Sequence, residues 1–311
     1  MSIIPLKCPS CGAQLQADSD NDLPVCEHCG ASSVMKDAIN QEHILPPTEE
    51  ADAEDEGDFE IEDVVLVRYY GDADSVVIPE GITEIRWHAF VRCYSLTSVT
   101  IPDSVIRISH FAFRHCTSLT SVIIPNSVKE IDVGAFLNCS SLVSVTIPDG
   151  VTKICRSVFS NCTSLTSVVI PESVTKIDAN AFKNCASLTS VTIPDGVTEI
   201  GCDAFSGCTS LTSIVIPDGV TKIVRGAFNG CASLVSVTIP NGVTEIASSA
   251  FRGCSSLESV IIPESVTMID VYAFSDCPSL ESVTFMGEVP ELGFGALDEY
   301  FERMQRRDED G

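Results

Sequence analysis

Cationic residues are scarce in this sequence: 18 Lys and Arg stand against 44 Asp and Glu, a formal net charge of −26 over 311 residues. Most of such a surface repels phosphate backbones and anionic lipid, which excludes general nucleic-acid binding and membrane adsorption. Long apolar runs are missing too. No stretch of about 18 apolar residues occurs, so no segment reads as a bilayer-spanning helix. The opening residues Met1 to Cys8 carry neither a charged leader nor the ~7–15-residue apolar stretch of a signal peptide, and the expected compartment is the cytoplasm. Sets of nucleophile, base and orienting group, phosphate loops and open metal sites are also lacking, so the chain is not expected to be an enzyme.

Cysteine is abundant by contrast, with fifteen residues. Four of them form two matched knuckles, Cys8-Pro9-Ser10-Cys11-Gly12 and Cys26-Glu27-His28-Cys29-Gly30. Four thiolates in two Cys-x-x-Cys pairs suit a closed tetrahedral zinc site, and the glycines permit the tight turns. Residues 1–38 are therefore expected to be a small zinc ribbon holding one structural Zn2+ through Cys8, Cys11, Cys26 and Cys29, and unable to fold without it. A pair of redox dithiols and ligation by His28 are the competing readings. From Glu42 to Asp63 the chain carries eleven carboxylates and no Lys or Arg, with Pro46-Pro47 near the start. Residues 39–58 are expected to be a self-repelling acidic linker, with an acidic recognition tail as the other reading.

The rest of the chain is periodic. Pro79, Pro102, Pro125, Pro148, Pro171, Pro194, Pro217, Pro240 and Pro263 lie 23 residues apart without insertions, and Phe90 to Phe274, Cys93 to Cys277 and Leu96 to Leu280 repeat at the same interval. A unit this short cannot close a core alone and must stack on its neighbours. Val99 and Ile101, alternating with Ser98 and Thr100, have the period of a half-buried strand, and Pro102 ends it. A second short extended piece carries Val105 and Ile108, and an irregular or single-turn helical corner carries Phe113. The expected fold is a β-rich repeat solenoid with a parallel sheet on one face: a cap over 59–78, nine turns over 79–287, and a degenerate turn with a charged capping helix over 288–311.

The turn motif Ile-Pro-x-x-Val-x-x-Ile-x-x-x-Ala-Phe-x-x-Cys-x-Ser-Leu resembles the BspA-like class of bacterial leucine-rich repeats, over roughly residues 60–298. The resemblance implies a curved solenoid and interaction work, since members are commonly surface proteins that bind host or neighbouring-cell ligands. A non-catalytic protein-binding scaffold is the leading expectation. A cell-surface adhesive or structural protein, exported by a route not readable here, is the alternative.

Within the repeats, a cysteine present in every turn reads as a packing residue rather than a metal ligand. The uniform serine column Ser98 to Ser282 and the alternating column of Thr100, Ile123, Thr146 and Val169 read as scaffold. The column Glu84, Arg107, Glu130, Lys153, Lys176, Glu199, Lys222, Glu245 reads as a charge ladder. The first two turns depart from this monotony with Arg86, Trp87, His88, Arg92 and Tyr94, then Arg107, His110, Phe111, Arg114 and His115, which include the only Trp, three of five His and four of eleven Arg. Aromatic and Arg enrichment marks binding hot spots. These ten residues are the candidate site for an unidentified protein partner, and the chain's own acidic linker is an expected intramolecular contact.

Overall fold

The computed structural model describes residues 58–310, with side chains to residue 306. The expected ribbon over 1–38, with Cys8, Cys11, Cys26 and Cys29, and all but the last residue of the expected linker over 39–58 lie outside the described residues.

Each 23-residue unit makes one solenoid turn. The tripeptide of Ser-Val-Thr type before the proline is extended, and its middle residue faces inward while its neighbours face out, as the two-residue period of a strand requires. Ser75–Val77, Ser98–Thr100, Ser121–Ile123, Ser144–Thr146 and Ser167–Val169 stack in parallel, and Ser213–Val215, Ser236–Thr238, Ser259–Ile262 and Ser282–Phe285 continue the stack after a gap. Partners are one repeat apart, as in Ser98 opposite Ser121 and Val99 opposite Val122, so like side chains form columns. The gap falls at residues 190–192, whose Ser-Val-Thr is identical to residues 98–100 and whose Val191 remains buried; no residue difference accounts for it.

Where the sequence suggests a sheet on one face, the structure has two stacks. Two-residue strands from Glu84–Ile85 and Arg107–Ile108 through to Met268–Ile269 and Glu291–Leu292 line a second side, interrupted after residues 131 and 200. The inward isoleucine of each, such as Ile85 and Ile108, pairs with its counterpart one turn on. Two residues suffice because each short ladder inherits its register from the turn beneath. Ile131, Ile154, Val158 and Phe159 pack around the first interruption and leave no cavity there that could hold a water molecule.

The third side closes through successive three-residue turns rather than a helical turn. Ala112 N donates to Ser109 O (3.2 Å) and Cys116 N to Phe113 O (3.2 Å), while Phe113 N reaches Ala135 O in the next turn (2.8 Å). Two positions here are left-handed in turn after turn. One column holds Gly134, Ser157, Asn180, Asp203, Gly226 and Ser249, the other Asn138, Asn161, Asn184, Gly207, Gly230 and Gly253, with φ between 54° and 75°. Gly, Asn and Asp are the residues that accept this backbone at least cost.

Inside, Phe90, Phe113, Phe136, Phe159, Phe182, Phe205, Phe228, Phe251 and Phe274 form one stack, with centroids 4.8–5.7 Å apart and planes within 12°. The ladder thiols donate to phenylalanine carbonyls one turn back, as Cys116 Sγ does to Phe90 O (3.0 Å) and Cys208 Sγ to Phe182 O (3.2 Å). The expected N-terminal cap is an antiparallel hairpin of β1 (Phe59–Glu62) and β2 (Val65–Tyr69), and β2 pairs in parallel with Glu84–Ile85. At the other end, Ala296 and Leu297 are buried beneath helix α1 (Asp298–Asp310). Arg303 Nη2 donates to Cys277 O (3.1 Å) and Leu280 O (3.0 Å), which satisfies carbonyls at the end of the stack. No helix among the described residues is long and apolar enough to cross a membrane.

Candidate partner-binding site at the first turns

The ten candidate residues do not form one patch. Arg86, Arg107 and His110 lie on the second strand stack and the corner after it, where carboxylates meet them. Arg86 Nη1 pairs with Glu62 Oε2 at 2.8 Å. Arg107 is held by Asp132 at 2.7 Å and Glu130 at 3.4 Å, and His110 Nδ1 lies 3.5 Å from the same Asp132 oxygen. The hydrogen bond to Asp132 is the main reason the Arg107 pKa is raised. The rest of the charge column is neutralised in the same way: Lys153 by Asp178 (2.7 Å), Lys176 by Glu199 (2.6 Å) and Lys222 by Glu245 (2.8 Å). This is the expected ladder, with Asp132 and Asp178 as members the sequence did not reveal.

The other residues gather at the turn-rich corner. His88 and Phe111 occupy the first left-handed column (φ 61° and 57°), and Arg92 and His115 the second (both 62°). Every other turn up to Gly253 fills these columns with Gly, Asn, Asp or Ser, so the first two turns place bulky side chains on backbone that disfavours them, at ~1–3 kcal/mol per residue. The Trp87 ring lies 4.7 Å from His88, and His88 lies 5.6 Å from Phe111. The Arg114 guanidinium sits 5.5 Å over the Phe111 ring. Trp87 and Tyr94 are more than half exposed, at 57% and 56%.

Burial and nearby guanidiniums set the electrostatics of this corner. Burial, then Arg114, Arg68 and Arg92 in that order, push His88 down to about 4. Burial, Arg114 and Arg92 lower His115. Burial and the neighbouring guanidiniums thus favour the neutral form of both imidazoles. Arg68 was missed in the sequence; it lies on β2, and only the hairpin register brings it here. The His115 ring meets the Asn138 amide at 3.3 Å, and that contact starts an amide ladder, Asn161 Nδ2 to Asn138 Oδ1 (2.7 Å) and Asn184 Nδ2 to Asn161 Oδ1 (2.8 Å).

Two other features are the strand face and the cysteine ladder. The strand face presents exposed Ile123, Val169, Val215 and Ile261, alternating with threonines along the outer column. Eight ladder cysteines are buried, and burial pushes Cys162 and Cys208 up to about 12. Cys93 departs from the expected burial: as the first in the ladder it is half-buried, and hydrogen bonding with Cys116 lowers its thiol despite the opposing effect of burial. Because the thiolate is the reactive form, a thiol reagent without denaturant should modify Cys93 first among the ladder residues and spare Cys116 to Cys277. Peptide mass spectrometry reads the order, and rapid modification of the eight would overturn the inward orientation. Among the described residues, no group of three or more His, Cys, Asp and Glu is arranged to hold a metal.

A family profile described as "BspA type Leucine rich repeat region (6 copies)" matches residues 68–189 and 175–300. Among solved structures, the chain is similar to a leucine rich cell surface protein from Faecalibacterium prausnitzii A2-165, at 29% identity over 72% of this chain and 90% of that one (TM-score 0.45). It is also similar to the T. pallidum leucine rich repeat protein, at 32% identity over 62% and 82% (TM-score 0.45), and to the pneumococcal vaccine antigen PcpA, at 19% over 76% and 82% (TM-score 0.43). No curated protein matches the chain.

Proposed function

From the premise that the chain belongs to the BspA-type leucine-rich repeat family, we propose that it is a non-catalytic protein-binding scaffold whose recognition surface is the corner of its first two turns. One observation carries this reading: bulky cationic and aromatic side chains fill both left-handed columns in the first two turns, where the later turns, apart from the single Tyr272, carry Gly, Asn, Asp and Ser. Strained backbone persists where something other than stability maintains it. Arg92, Arg114 and the newly added Arg68, with Trp87, Tyr94 and Phe111 beside them, have the composition of an interface hot spot. Three guanidiniums on a chain of net charge −26 select an acidic protein segment, since a polyanion of nucleic-acid size meets repulsion everywhere else.

The zinc ribbon over 1–38, held by Cys8, Cys11, Cys26 and Cys29, is a second docking module in this proposal, joined by the acidic linker over 39–58. Its donor set of four thiolates leaves zinc closed to substrate and structural in role. A column of thiols that donate to backbone carbonyls works only when reduced, which supports a cytoplasmic location. A second reading, a cell-surface adhesive protein, draws on the exposed row of Ile123, Val169, Val215 and Ile261.

The two readings part in one experiment. Full-length chain, the Arg92→Glu/Arg114→Glu variant and a strand-face Ser167→Arg/Ser213→Arg variant are each used to recover partners from native lysate, with thermal unfolding to verify the fold. Charge reversal at the corner should weaken the dominant complex by at least about 30-fold, the scale of one hot spot of about 2 kcal/mol. Undiminished recovery would sink the corner as the recognition surface. Loss confined to the strand-face variant would favour the adhesive reading.

A further inference from the structure

The first strand stack carries an outward face that nothing among the described residues covers. Its outer column runs from Val77 to Thr284 in ten rungs, 23 residues apart. Val77, Ile123, Val169, Val215 and Ile261 are 57–80% exposed there, and every rung between them holds a threonine. In the neighbouring column, hydroxyls are already paired within the chain. Thr120 Oγ1 donates to Thr97 O (3.1 Å), Thr166 Oγ1 to Val143 O (3.1 Å) and Thr212 Oγ1 to Thr189 O (3.3 Å), each one rung back. Burying that column leaves these donors satisfied, which removes the usual penalty for desolvating a hydroxyl. From Thr97 to Thr238 the three outward columns of the face contain only Thr, Ser, Val and Ile, on a chain of net charge −26. Carboxylates enter these columns only towards the ends, at Asp74, Glu258 and Glu281.

We propose that two copies of the chain associate through this face, antiparallel, about a two-fold axis that crosses the outer column between Val169 and Thr192. The area is sufficient: ten rungs ~4.8 Å apart and about five residues of ~3.3 Å across give a face of roughly 700 Å² per copy, and two such faces reach the ~1,200–2,000 Å² of a stable interface. Charge favours it as well. Two copies of net charge −26 repel, and an uncharged face lets them meet without setting carboxylates against one another. The alternation selects a second copy over a foreign surface. Aliphatic side chains stand out at every second rung, ~9.6 Å apart, and leave gaps at the threonines. Antiparallel pairing of an even number of rungs sets odd rungs against even ones, so Val169 meets Thr192 of the second copy, Val215 meets Thr146 and Ile123 meets Thr238. Every projection of one copy then enters a gap in the other, as a self-complementary patch requires. This pairing uses a different side of the solenoid from the turn-rich corner and stands independently of the reading of that corner.

Sedimentation equilibrium of the purified full-length chain, with no other protein present, reads the pairing. The unaltered chain should be dimeric at micromolar concentration. Val169→Glu with Val215→Glu should leave it monomeric under the same conditions, with thermal unfolding to verify the fold. Val169→Thr with Val215→Thr gives these rungs the residue their neighbours already carry, so the fold is retained. The dimer should nevertheless weaken about tenfold or more, because two methyl groups per copy give way to hydroxyls in the interface. Added salt should tighten the unaltered dimer, since it screens the repulsion between two acidic chains while the face has no charge pair to lose. A chain that is monomeric throughout would overturn the pairing and leave the face to a different occupant. A dimer that survives the glutamate substitutions would place association elsewhere in the chain, and one that weakens with salt would place it on charged contacts; either overturns the proposal. Threonine variants that pair as tightly as the unaltered chain would overturn it too.

Discussion

Phe182→Ala should lower the unfolding free energy by about 3–5 kcal/mol, the cost of truncating a fully buried Phe, measured from the urea midpoint of the full chain. The Phe182 ring is fully buried and lies between Phe159 (5.7 Å) and Phe205 (5.3 Å), both nearly parallel to it. Its carbonyl accepts the Cys208 thiol, and its amide donates to Ala204 O (2.8 Å). Because the ring fills the space between two turns, the cavity opens on both neighbours, and neither can close it without shifting its own strands. A stable domain holds only ~5–15 kcal/mol in all, so the change removes a large fraction. Position in the stack matters as well. Phe274→Ala removes a ring with one neighbour in the stack, Phe251 (5.2 Å), and local opening of the last turn can absorb part of the damage. The central substitution should therefore cost more. Loss below about 1 kcal/mol at Phe182 would mean that the stack is not the continuous core it forms here.

How much of this was legible follows from which residues repeat. Proline, leucine, phenylalanine and cysteine recur at strict intervals because each turn reuses the same inward positions, so the solenoid, its first strand stack and its buried thiols could be read directly. The second strand stack was less legible. Its strands are two residues long, with a charged residue outward and one isoleucine inward, and a pattern that short has no alternation to detect. The half-exposure of Cys93 comes from its being the first rung, a fact of position that its own residue type does not announce.

The site was legible in composition but not in geometry. Arg86 and Arg107 look cationic in the sequence, yet Glu62 and Asp132 neutralise them. Asp132 follows Arg107 by 25 residues, one turn and two positions, so a reader who wrote the repeats beneath one another would find it on the adjacent column. Arg68 is harder to find. It precedes the first full turn, and only the pairing of Leu66 with Ile85 fixes its height on the stack. The most informative signal was the occupancy of the left-handed columns, where a run of Gly, Asn, Asp and Ser gives way to His88, Arg92, Phe111 and His115. The sequence shows the change of residue type; the backbone angle shows that it has a cost.

Cys8→Ser with Cys11→Ser should abolish metal binding by the whole chain, from one zinc per chain to none in native mass spectrometry. The expectation rests on spacing alone: these two and Cys26 and Cys29 are the only cysteines set in Cys-x-x-Cys pairs, whereas the ladder cysteines come one per turn, and all of them after Cys93 are buried. A ribbon of some 30 residues buries too little apolar surface to fold by itself, while four thiolates on zinc contribute an apparent ~10–16 kcal/mol near neutral pH. Removing half the donors leaves Cys26 and Cys29, and two ligands do not hold a structural zinc. The urea midpoint of the solenoid should stay where it was, since its core is complete within the described turns. His28 provides the internal control. If Cys29→Ser keeps its metal and His28→Ala loses it, the fourth ligand is the histidine. A metal-free native chain, or zinc retained by the double serine variant, would overturn the ribbon and leave recognition to the solenoid.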